Sequence, residues 1–65
     1  MPTEKEVAAG MLESAQIDLT KDTIMEMYFQ RRKLAGQKVD EMIARAQAKI
    51  KEGKELIKFL EEKSK

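Results

Sequence analysis

Sixty-five residues, 42% hydrophobic and 38% charged, limit this chain to one small domain, in the size range where a lone apolar core supplies only about 3–5 kcal/mol unless disulfides, metals or self-association add to it. Cys and His are both absent, which excludes disulfide staples, the usual zinc ligands, and Ser-His-Asp, Cys-His or Glu-x-x-His chemistry. Formal net charge is only +1, yet residues 1–30 carry two Lys against six acids, net −4, and residues 31–65 carry eleven Lys or Arg against six acids, net +5. That asymmetry favours a fold or an assembly in which the N-terminal part lies along the C-terminal part.

A composition rich in Ala, Glu, Lys, Met and Leu, with three Gly and one Pro, favours helix nearly throughout. No apolar run approaches the ~18 residues that a membrane span needs. The opening Met-Pro-Thr-Glu-Lys-Glu lacks the basic start and apolar stretch of a signal peptide, so a cytoplasmic chain with no membrane association is expected.

The first helix is announced by Thr3 standing three residues before Glu6, the pattern of a capping box, with Pro2 and Val7 placed as a hydrophobic staple. Val7 or Ala8, Met11, Leu12 and Ala15 recur at helical spacing, which predicts a helix over about residues 3–16. The segment Gln16-Ile17-Asp18-Leu19-Thr20 gathers β-branched and turn-forming residues, so a short connection is expected there, with Asp18 or Thr20 capping the next helix.

From about residue 20 to residue 62 the pattern is helical, and alternating steps of four and three define a heptad seam. One column of it is Phe29, Gly36, Ile43, Ile50 and Ile57; the other is Met25, Arg32, Val39, Ala46, Gly53 and Leu60. From Val39 onward no charge interrupts either column. A semi-apolar flank, Tyr28, Ala35, Met42 and Leu56, widens the buried face beyond a two-stranded seam and suits a bundle of three or four helices. Ala46 and Gly53 leave shallow places, either simply tolerated, or admitting close helix approach, or receiving a large side chain such as Met11 or Leu12 from an opposing helix.

Gly36 is the ambiguous position. Arg31, Arg32 and Lys33 suit the negative end of a terminating helix, Gly36 its left-handed cap, and Asp40 and Glu41 the first turn of a new helix. That reading gives three helices, near residues 3–16, 20–34 and 38–62. The heptad phase nonetheless runs through Gly36 without a shift, and no Pro, Ser or Asn directly follows it, which favours one continuous helix over residues 20–62. At 1.5 Å per residue it would be roughly 65 Å long, more than the first helix covers, and so would need a dimer. The expectation is therefore an all-α domain over residues 1–65, a helical hairpin or small three-helix bundle with a long heptad-patterned C-terminal helix, dimerising into a helical bundle.

No catalytic, metal or cofactor site is expected. Gly10, Gly36 and Gly53 are isolated and form no phosphate loop, and Asp18 and Asp22, although four apart, are better explained by capping than by magnesium. Met25, Met27, Tyr28 and Phe29, next to Ile24, crowd more than one side of a helix, and flexible Met suits adaptable binding surfaces. The expected protein interface is thus Ile24, Met25, Met27, Tyr28 and Phe29 together with the seam residues Val39, Ile43, Ala46, Ile50, Gly53, Ile57 and Leu60. The function expected is a non-enzymatic interaction module, a regulator, adaptor or chaperone-like subunit that forms a homodimer and presents helix surface to a protein partner. The alternative is nucleic-acid binding through residues 31–51, which carry seven cations against Asp40 and Glu41. Arg31, Lys38 and Arg45, one heptad apart, would line a continuous helix as a stripe tracking phosphates.

Overall fold

A computed structural model describes residues 1–65 as two α-helices and no strand: α1, Glu4–Leu34, and α2, Asp40–Lys63, folded back on each other as an antiparallel hairpin. α1 starts where the sequence places it. Thr3 Oγ1 accepts from the Glu6 backbone N–H at 3.2 Å, and Glu4 and Glu6 occupy the positive end of the helix dipole. Only this half of the predicted capping box forms.

The helix does not stop at residue 16, and the connection expected over 16–20 is absent. Two physical reasons account for the correction. The Thr20 and Thr23 hydroxyls donate back to the Gln16 and Leu19 carbonyls at 3.0 and 2.8 Å, so the groups that favour a turn are satisfied inside the helix. In addition, Ala8, Leu12, Ala15, Leu19, Asp22, Glu26 and Phe29 recur at steps of four and three along the side facing α2, the alanines buried and the others half-buried. A turn at 16–20 would throw that register out of phase, so packing overrides local propensity. With one helix here there is no three-helix bundle.

The break falls at Gly36 instead, and the continuous helix over residues 20–62 is not formed. Gly36 has φ +90°, the left-handed region that a Cβ disfavours. Its N–H donates to the Lys33 carbonyl at 2.9 Å and the Gln37 N–H to the Arg32 carbonyl at 3.1 Å, the bond pair of a Schellman cap. Arg31, Arg32 and Lys33 lie in the last turn of α1 and Asp40 and Glu41 in the first turn of α2, each complementing its dipole. The unbroken phase through Gly36 is a coincidence of spacing: Phe29 ends one side of the hairpin seam and Val39 begins the other, while Met25 and Arg32 line the groove beside it.

Along α2 the seam forms as its heptads predict. Val39, Ile43, Ala46 and Leu60 are buried, and Ile50, Gly53 and Ile57 are half-buried. A Cβ added at Gly53 would meet Leu19 Cδ1 at 3.5 Å, so the shallow place receives Leu19, not Met11 or Leu12. Exposed ion pairs bind the two ends, Lys33 to Asp40 at 2.9 Å across the turn and Glu4 to Lys63 at 3.8 Å at the open end. Such surface pairs are worth ~0–1 kcal/mol each, leaving apolar contact to hold the hairpin. That contact is thin: six of 65 residues are buried and no side chain is fully so.

Candidate functional site

The apolar residues that α2 leaves uncovered on α1 lie on more than one side of it. Phe29 alone of the 24–29 cluster enters the seam, half-buried, with its ring 5.7 Å from that of Tyr28. Met25 turns into a groove between the helices, and Ile24, Met27 and Tyr28 stay in solvent, Met27 at 66% exposure. The interface predicted as one cluster is thus divided among three sides, while its members Val39, Ile43, Ala46, Ile50, Gly53, Ile57 and Leu60 serve the contact between α1 and α2.

The groove is built from heptad columns on both helices. On α1 the residues Glu4, Met11, Asp18, Met25 and Arg32 stand seven apart; on α2 so do Met42, Lys49, Leu56 and Lys63. Seven residues are nearly two helical turns, which sets each column along one side of its helix. Glu4, Met11, Leu56 and Lys63 line the open end of the groove, with Val7 and Phe59 beside them, and Met25, Arg32, Met42 and Lys49 line the end near the turn. Met11, Asp18 and Leu56 share the stretch between. Val7, Met11, Leu56 and Phe59 are missing from the interface predicted from sequence, although the Met42 and Leu56 flank was visible there and the matching α1 column could have been read at the same spacing.

A second apolar line, Ile17, Ile24 and Tyr28, runs along the side of α1 that faces away from α2, edged by Met27 and Arg31. Seven or four residues separate its members, and each is half or more exposed. The Arg32 guanidinium lies 5.6 Å from the Tyr28 ring centroid, a cation–π contact that orders the ring without covering it.

The basic residues do not form the stripe that a continuous helix would give. Arg31 sits at the end of α1, Lys38 in the turn, and Arg45 on α2 with its guanidinium 2.6 Å from Glu41. What the fold gathers instead is a basic end: Arg31, Arg32, Lys33, Lys38 and Arg45 all lie near the turn. No group of three carboxylates converges anywhere, Asp18 and Asp22 included. Neither helix is long and apolar enough to cross a membrane.

The amount of surface left in water is large for the size of the chain. A compact monomer of 7.5 kDa exposes about 4,200 Å² by the usual scaling. This hairpin exposes 5379 Å², which is about 1,100 Å² more than that scaling gives. Its radius of gyration is 15.1 Å, against about 11 Å for a compact domain of this length.

Comparison with known proteins finds no matching family model, no matching curated protein and no matching solved structure.

Proposed function

We propose that this chain is a non-enzymatic protein-interaction module: a helical hairpin that self-associates and presents the remaining helix surface to a protein partner, as a regulator, adaptor or chaperone-like subunit does. One observation carries the reading. α1 exposes apolar side chains both in the groove and along the Ile17, Ile24 and Tyr28 line opposite α2, more than one hairpin can bury. Exposed apolar patches of this kind mark interfaces, and the excess of about 1,100 Å² over a compact monomer is more than the ~800 Å² that each partner of a standard interface buries. Anchors for a partner are Tyr28, of a residue type enriched among binding hot spots, and the flexible, polarizable Met27 beside it.

The test is capture of partners by the tagged chain after nuclease treatment, followed by direct binding with the purified candidate. Met27→Ala with Tyr28→Ala should weaken that binding at least tenfold at unchanged helicity. Replacing Arg31, Lys38 and Arg45 by Gln should leave it nearly intact. Tight, salt-sensitive DNA or RNA binding that the Gln triple abolishes would overturn the proposal in favour of nucleic-acid recognition through the basic end.

A further inference from the structure

We infer that the groove is closed by a second copy of this chain lying parallel to the first, turn beside turn, with α1 of each copy over α2 of the other. The inference rests on the self-association proposed above and names its face and direction. The groove is a ladder of like-spaced rungs in which charge and apolar contact alternate. Glu4 pairs with Lys63 at 3.8 Å. One heptad on, Met11 and Leu56 line the groove together; two heptads on, the columns place Asp18 with Lys49; three heptads on, Met25 and Met42 share the lining.

A two-fold axis along the hairpin sets every rung over its own copy with the helices exchanged. Glu4 then faces Lys63 and Asp18 faces Lys49 of the opposite chain, while Met11 meets Leu56 and Met25 meets Met42. Glu4, Lys63, Asp18 and Lys49 each meet an opposite charge and each apolar group meets another, while Arg32, one heptad beyond Met25, has no counterpart on α2. A two-fold axis across the hairpin reverses the ladder, which puts apolar rungs on charged ones. Sliding that arrangement to restore the match centres it on the third rung, where Glu4 faces Arg32 but Asp18 faces Asp18 and Lys49 faces Lys49. Like charges brought face to face oppose association, so complementarity along the groove rungs favours the parallel dimer, although that arrangement also sets the two basic turn ends side by side. The extent suffices as well. A face about 52 Å long and 14 Å wide offers on the order of 700 Å² per copy, near the ~800 Å² per partner of a standard interface.

Because the chain has no Cys, single introduced thiols report this geometry directly. Differently tagged Met11→Cys and Leu56→Cys chains, co-refolded and oxidised, should give a disulfide-linked product that carries both tags, and Met25→Cys with Met42→Cys should do the same independently. Asp18→Cys chains alone should cross-link far less. Efficient Asp18→Cys self-linkage with loss of the two mixed products would overturn the parallel arrangement in favour of the antiparallel one. A dimer in sedimentation that forms none of these links would overturn the groove as its interface while leaving self-association standing. A monomer at every concentration would overturn both.

Discussion

Gly36 carries the turn through its backbone, since a Cβ there would meet nothing within 4 Å and only the φ of +90° resists a side chain. Gly36→Ala should therefore destabilise the protein by about 1 kcal/mol, measured by urea unfolding monitored by circular dichroism. Had the helix run through this position, the same change would have stabilised it. Gly53 gives the opposite expectation: it lies inside α2, and an added Cβ meets Leu19 at an ordinary 3.5 Å. Gly53→Ala should raise stability by about 0.5–1 kcal/mol in the same assay. The elements of the Gly36 cap were all legible in the sequence, Arg31, Arg32 and Lys33 before it and Asp40 and Glu41 after it. The seven-residue spacing concealed them, because a seam that folds back on itself between Phe29 and Val39 keeps the same arithmetic as one that continues straight.

At the scale of the helices, α2 was readable and α1 was not, for a reason that lies in their patterns. The seam of α2 has no charge between Val39 and Leu60 and its apolar residues gather on one side. α1 spreads its apolar residues around the axis, so that no single face dominates, and sets Asp22 and Glu26 at half-buried seam positions. Its register is carried by small and polar residues that a search for large apolar side chains passes over. The break expected at residues 16–20 follows local propensity, which Thr20, Thr23 and the fit of Leu19 against Gly53 override. Glu26 joins no ion pair, and Glu26→Leu should raise the melting temperature by adding apolar contact on the order of 1 kcal/mol. Thr3→Ala removes the one side-chain cap of α1 and should cost about 1 kcal/mol, seen as fraying of the first turn by amide exchange.

For the whole molecule, an all-helical fold with an extended C-terminal seam was legible, and the division of labour among surfaces was not. Residues predicted as an intermolecular interface, Val39 to Leu60 on the seam, are occupied within the hairpin, and the groove columns that remain free combine Met, Leu, acid and base in a way that composition alone does not rank. The hairpin is thin, with 5379 Å² in water and six buried residues, and the self-association proposed for it would cover part of that surface. Stability should then rise with protein concentration, as mass action requires for any fold that gains from association. Met11→Asp sets a carboxylate on an apolar rung and should dissociate the assembly and lower the melting temperature without changing the helix boundaries.

The most direct test is sedimentation equilibrium of the wild-type chain from low micromolar concentration upward, paired with thermal melts of the same samples. A self-associating hairpin should sediment as a reversible dimer whose melting temperature climbs with concentration. A monomer of constant mass, melting cooperatively at a temperature independent of concentration, would contradict self-association, because the uncovered groove would then be sufficient for a stable fold on its own.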